Sequence, residues 1–194
     1  MSATRQRWLD EGLAVLAEEG SAGLRIDRLA ARLGLTKGSF FHHFAGAAAY
    51  RAALLEYYEA RTLGALAEAL DARPDKGTFA TLAWLTGMVS GDEGADAPGA
   101  GAIRRPELDL AVRAWASSDP DARTAQARID AAVIDALQST WRPVVETDAA
   151  ARTAALVPYL VSLGASVTVP PISPAELRGV YELLLEQVPR PPGT

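Results

Sequence analysis

The clearest periodic signal in the chain lies between residues 26 and 44, IDRLAARLGLTKGSFFHHF. Ile26, Leu29, Ala30 and Leu33 recur at i, i+3, i+4 and i+7, the apolar stripe of one amphipathic helix. Gly34 follows, the residue type that most easily takes the left-handed conformation ending a helix. Leu35 returns to the core, and Thr36 is placed to cap a second helix over Lys37 to Phe44. Phe40 and Phe44, one turn apart, face inward. Lys37, Ser39, Phe41 and His42 fall on the other face. Two short helices across a glycine-containing turn predict a helix-turn-helix.

The same periodicity divides the rest of the chain. A first helix is predicted over residues 4 to 19, with Thr4 as a candidate cap and Trp8, Leu9, Leu13 and Leu16 inward. Gly20 ends it, and Leu24 plugs the core before the second helix. A long helix is predicted from about residue 46 to 72, carrying Tyr50, Leu54, Tyr57, Tyr58, Leu63, Leu66 and Leu70. Further helices are expected over 76 to 90, from Pro106, and from Asp119-Pro120 to Trp141. Thr147 opens another that runs to about Ser166, with Pro158 inside it predicting a kink. Ser173-Pro174-Ala175-Glu176 reads as a capping box for the last helix, which carries Leu177, Val180, Tyr181, Leu184 and Val188. The total is about nine helices, an all-α chain whose one strand-like hint is VTV at 167–169. The glycines of GDEGADAPGAG, residues 91–101, fit no phosphate-binding spacing, and Asp92, Glu93 and Asp96 would repel an anion; a mobile loop is expected there, and disorder in the tail PRPPGT.

Composition narrows the function. The 194 residues include no Cys, which removes disulfides, thiol nucleophiles and thiolate metal sites. The two His are adjacent and point about 100° apart on a helix, so they do not chelate one metal together. No cofactor, metal site or catalytic residue is expected; acids such as Glu107 and Asp109 read as solvated helix faces. The start of the chain has no signal-peptide core, and no run of 18 apolar residues exists, so no membrane span is expected and a cytoplasmic location is. The formal charge of −5 is unevenly spread. Residues 1–55 hold seven basic against five acidic side chains, a net +2, and the remainder twelve against nineteen, a net −7. The positive charge therefore lies with the motif.

GLTKGSFFHHF, preceded by WLDEGLAVLAEEG, resembles the DNA-binding domain of the TetR family of transcriptional regulators over about residues 8–58. PELDLAVRAWASSDP at 106–120 is a second family-like run. The resemblance implies a DNA-binding domain over residues 1–46 and a ligand-binding and dimerisation domain over 47–194. The residues expected to meet DNA are Arg25, Thr36, Lys37, Ser39, Phe41, His42 and His43. Arg25 stands where the family often has Ser or Thr on a phosphate. Phe41 replaces the usual Tyr; it keeps apolar contact with a thymine methyl or a sugar but loses a hydroxyl for phosphate. His43 lies toward the inner side, where a phosphate contact and a hydrogen-bonded rim position both remain open. Ala47 stands where the family usually has a phosphate-binding Lys.

The second half is then expected to hold an effector pocket. Trp84, Met88, Trp115, Trp141 and Tyr159 are candidate walls for a small apolar or aromatic compound, although such residues are more often simply core. In the family the last two helices pair with their mates in a homodimer. The stripe on the last helix is compatible with that and with intrachain packing. The reading is a repressor released from a palindromic operator by its ligand. The alternative is a helical small-molecule-binding protein whose DNA-binding motif is weak or no longer used.

Overall fold

Ser2 begins the first helix, α1 (Ala3–Glu19). Its Oγ accepts the Arg5 backbone N–H at 3.2 Å, so Ser2 and not the expected Thr4 is the cap. The helix starts one residue earlier than the sequence pattern indicates, which puts Thr4 inside the first turn and Arg5 at the position whose N–H a capping side chain satisfies. The computed structural model describes residues 2–72 and 106–186, and within these holds eight α-helices and no strand. The helix expected over 76–90, the loop at 91–101, the tail PRPPGT and Val188 lie outside the described residues.

The chain forms two compact units: Met1–Thr62 with Arg105–Ile129, and Leu63–Arg104 with Asp130–Thr194. The first holds α1, α2 (Ile26–Leu33), α3 (Lys37–His43), the first part of α4 (Ala47–Ala72), α5 (Pro106–Ala116) and the start of α6 (Pro120–Trp141). Gly34 ends α2 at φ 63°, ψ 31°. Its N–H donates to the Ala31 carbonyl at 3.2 Å and the Leu35 N–H donates to the Ala30 carbonyl at 2.9 Å, the paired closure that satisfies the last carbonyls of a helix. From α1, Arg7 donates to the Leu33 carbonyl at 3.2 Å and closes that end further.

Trp8, Phe40, Phe44 and Tyr50 build the centre of this unit. Phe40 is fully buried, with Trp8 edge-on at 5.3 Å, Phe44 at 5.1 Å and Tyr50 at 5.3 Å between ring centroids. The Tyr50 hydroxyl donates to the Trp8 carbonyl at 2.8 Å, and burial pushes its pKa upward. Gly12 makes room for this arrangement: a Cβ there would stand 2.0 Å from the Tyr50 hydroxyl oxygen. Leu9, Leu13, Leu16, Leu24, Leu29 and Leu54 complete the core.

Ion pairs join α1 to α2 on the outside. Arg28 pairs with Glu19, and Arg32 with Glu11 and, at 2.6 Å, with Glu18. On α5, Leu108, Val112 and Trp115 are buried, and this helix packs against α1. Asp119 caps α6, accepting the Asp121 and Ala122 N–H groups at 3.0 and 2.9 Å, as the Asp-Pro pair predicts. Asp109 accepts from Arg113 Nε at 2.7 Å, from Gln126 at 3.3 Å and from Tyr58 at 3.4 Å, tying α4, α5 and α6 within the first unit.

The second unit holds the remainders of α4 and α6, then α7 (Asp148–Val167) and α8 (Pro174–Glu186). Pro143 follows the end of α6 at Trp141. Thr147 caps α7 through the Ala150 N–H at 3.1 Å, as expected. The helix continues through Pro158. The capping box of α8 is reciprocal: the Ser173 N–H donates to Glu176 at 3.0 Å, and the Glu176 N–H to Ser173 Oγ at 3.3 Å. Tyr181 is buried and donates to the Pro158 carbonyl at 3.0 Å, which pins α8 to α7. VTV does not form a strand; Val167 closes α7, and the Thr168 N–H bonds back to the Gly164 carbonyl.

No run of 18 apolar residues exists, yet α7, of 20 residues, contains an 18-residue window of mean hydropathy 1.3, apolar enough by length and composition alone to cross a membrane. Its three leucines and three valines, with the alanines, raise that average, and Asp148 and Arg152 near its start are its charged residues.

Gly12→Ala should destabilise the protein by about 1–3 kcal/mol in urea unfolding, the cost of overpacking, although Gly→Ala inside a helix ordinarily stabilises. Gly12→Ala with Tyr50→Phe should recover part of that loss, because the closest atom is gone. A second expectation concerns acid. The Arg32 side chain beside Glu18 holds that carboxyl below its usual 4.5. A carboxyl whose folded pKa is depressed stabilises above its unfolded pKa and loses that contribution as pH falls through the folded value. Glu18→Gln should therefore flatten the stability profile below about pH 4.5 and leave neutral-pH behaviour nearly unchanged, as read by thermal unfolding across pH.

Candidate nucleic-acid interface

The candidate interface is the outer face of α3. The helix is short, and its position is set from beneath by Phe40 and Phe44, which are 0% and 4% exposed. Its start is set by Thr36, whose Oγ1 accepts the Ser39 N–H at 3.2 Å. Lys37, Phe41 and His42 are exposed, while Ser39 and His43 are half-buried. The stripe assigned from the sequence is therefore the one the fold uses, and the other stripe is turned to solvent. The two His rings meet edge-on at 4.9 Å. His43 also lies beside Phe44, at 6.4 Å, on the inner side expected of it.

Charge around this face is less simple than the count of basic residues. Arg25 is exposed but pairs with Asp27 at 3.2 Å, and its guanidinium lowers the Asp27 pKa. Arg28 and Arg32 are drawn onto the acids of α1. Arg5 lies over the Phe44 ring at 5.3 Å. Lys37 has no ion-pair partner among the described residues. It is the cation on α3 itself, and that helix carries no acid.

Sequence reasoning missed a second polar cluster in this unit. Asp10 accepts from the Tyr57 hydroxyl at 2.6 Å and from Arg61 at 2.8 Å, and Arg61 also lies over the Tyr57 ring at 5.4 Å. With Gln6 these residues line a shallow polar depression. The available signal was Tyr57 and Arg61 at i, i+4 on one helix, but nothing in the pattern marks Asp10 as their partner.

The candidate effector residues divide between the units. Trp115 is buried in the first. Trp141 and Tyr159 belong to the second, both half-buried, and the buried Trp141 Nε1 has no hydrogen-bond partner among the described residues. Trp84 and Met88 lie outside the described residues.

Comparison with known proteins agrees with this geometry. Residues 9–49 match the family model of the bacterial regulatory proteins, tetR family. No curated protein sequence matches the chain. Among solved structures, the reduced form of NemR from E. coli aligns with a TM-score of 0.76 at 20% identity, covering 98% of this chain and 100% of its own. A transcriptional regulator from Saccharomonospora viridis in complex with choline aligns with a TM-score of 0.72 at 17% identity, covering 98% and 100%. A TetR-family transcriptional regulator from Rhodococcus sp. aligns with a TM-score of 0.69 at 20% identity, covering 97% and 99%. These structures share the fold along the whole chain, while the family model marks the helix-turn-helix. The helix-turn-helix of residues 9–49 is thus that of the tetR family model, and the chain shares the fold of these solved regulators.

Proposed function

We propose that the protein is a sequence-specific repressor that leaves a palindromic operator when it binds a small apolar or aromatic compound. The observation that carries this reading is the α3 face: Lys37, Phe41 and His42 stand exposed on a helix whose opposite side is anchored by two buried phenylalanines. Residues 1–46 are the DNA-binding domain, and residues 47–194 bind the effector and the second copy. Lys37 meets a phosphate or a guanine edge, and Ser39, Phe41 and His42 meet the groove. Arg25, Thr36 and His43 meet the backbone at its edges.

Exposed apolar side chains on the last two helices support a homodimer built there. Val157, Leu160, Val180 and Leu183 are 41%, 57%, 40% and 61% exposed, whereas Leu177 and Tyr181 face inward. The stripe expected on the last helix thus divides between an intrachain side and an outer side. A second copy is the partner that closed two-fold symmetry favours. The same apolar face accounts for the hydropathy of α7 without a membrane, and the protein acts in the cytoplasm.

Two recognition helices reach successive major grooves when their centres stand about 34–36 Å apart. A ligand with higher affinity for a dimer of other spacing shifts the population away from DNA. By linkage, DNA and ligand then oppose one another, by about 1–3 kcal/mol in typical cases. Trp141 and Tyr159, both of the second unit, are the proposed walls of the effector site. The choline held by the Saccharomonospora viridis regulator supports a small organic effector.

One observation favours a second reading, a helical small-molecule-binding protein whose motif engages DNA weakly. Arg25, Arg28 and Arg32 are all paired with acids, and Ala47 supplies no cation. Selection of bound duplexes from random DNA, at two salt concentrations, separates the two. A two-fold symmetric site whose binding weakens with salt is the expected result; no enrichment at low salt by a folded dimer would leave the second reading. On the selected site, Lys37→Ala should lose about 1–3 kcal/mol if it reads a base, with relaxed specificity at that position, or weaken all sequences alike if it holds a phosphate. Leu183→Glu should halve the mass seen in sedimentation and abolish binding to the full palindrome, while the thermal midpoint of the monomer stays close to that of the dimer at low concentration.

A further inference from the structure

Among the described residues of the first unit, Phe41 is the one large apolar side chain left exposed, at 57%. Its neighbour Phe40 is fully buried, and the two rings meet edge-on at 5.5 Å and 88°. The fold thus seats the Phe41 ring without covering it. Lys37 lies one helical turn earlier on the same stripe, and α3 holds no acid that would repel a polyanion. A seated apolar ring beside an unpaired cation fits a surface that is anionic and yet offers an apolar group within reach. In the major groove of DNA, the C5-methyl of thymine is the apolar group that base edges present. A phosphate gains nothing from a ring without a donor, and sugars are the same at every step.

We infer that Phe41 reads a base methyl: it favours thymine in each half-site through the C5-methyl group alone. This rests on the DNA-binding reading above. It adds a consequence that hydrogen-bond readout does not have. Cytosine methylated at C5 presents the same methyl in the same groove, so methylation of cytosine at the contacted position strengthens binding instead of blocking it. Phe41 is in this sense a specificity-determining residue whose preference follows the methyl and not the base pair.

The test uses the full-length protein and the duplex recovered by selection, with the dissociation constant measured at one fixed salt concentration. Each thymine is replaced in turn by uracil, which keeps every hydrogen-bonding group and removes the methyl. The expected result is a loss of about fourfold per half-site at one position, the equivalent of about 0.8 kcal/mol for a buried methyl group. Replacing that thymine by cytosine and then by 5-methylcytosine should recover a similar factor between the two cytosine forms. Phe41→Ala should bind uracil and thymine duplexes equally, and Phe41→Leu should keep a reduced difference. A flat uracil scan with wild-type protein on a duplex it still binds overturns the inference and leaves the regulator intact. So does a uracil effect that persists unchanged in Phe41→Ala. Failure to bind any duplex would overturn both this inference and the DNA-binding reading, and is distinguished from a flat scan by the absence of a measurable complex.

Discussion

Phe40 is the contact on which the presentation of α3 depends. A seven-residue helix has too few internal hydrogen bonds to hold itself in water. Its stability comes from what it buries, and Phe40 is buried completely against Trp8 of α1, Phe44 at its own end and Tyr50 of α4. Three helices thus meet on one ring. The Tyr50 hydroxyl adds direction to this packing, because its bond to the Trp8 carbonyl fixes where α4 stands against α1. Gly12 is required by the same contact, since a side chain there would occupy the hydroxyl's place. The exposed face of α3 is a consequence: with Phe40 and Phe44 inward, helical geometry leaves Lys37, Phe41 and His42 outward.

Electrostatics in the first unit do two jobs with one set of side chains. Arg28 and Arg32 stand one turn apart on α2 and reach Glu19, Glu18 and Glu11 on α1. These pairs are exposed, and each contributes little stability alone. Their effect on function is larger, because a guanidinium committed to a carboxylate is a weaker partner for phosphate. The positive surface is therefore narrower than the sequence charge indicates. On the proposed DNA-binding reading, fewer cations near α3 remain available to phosphate, and Ala47 supplies none.

The α7–α8 pair shows how two faces are assigned from one stripe. Tyr181 donates its hydroxyl to the Pro158 carbonyl, and Leu177 on the same helix is buried with it. Val157, Leu160, Val180 and Leu183 are then on the outside. An apolar outer face of this kind is costly on a monomer, which fits the proposed dimer. The mean hydropathy of α7 follows from serving both faces.

Local rules were sufficient for much of this. Gly34, Thr36, Asp119, Thr147 and the Ser173–Glu176 box mark helix ends that the structure reproduces, because capping is a matter of a few adjacent residues. The alternation of apolar and polar positions likewise set which side of α3 turns inward and that the chain is all-α. Ser2 in place of Thr4 shows the limit of that precision, a shift of two residues between equally good caps. What the sequence left open is whatever joins residues far apart in the chain. Asp10 meeting Tyr57 and Arg61, Asp109 gathering Tyr58 and Gln126, and the arginines of α2 meeting the acids of α1 all need helices to be packed before the side chains can find each other. Counting charges cannot show which are already paired, and a stripe on the last helix cannot show that Leu177 is inside while Val180 is outside. Those distinctions belong to tertiary structure, because pairing and burial depend on the neighbouring helix and not on the spacing within one.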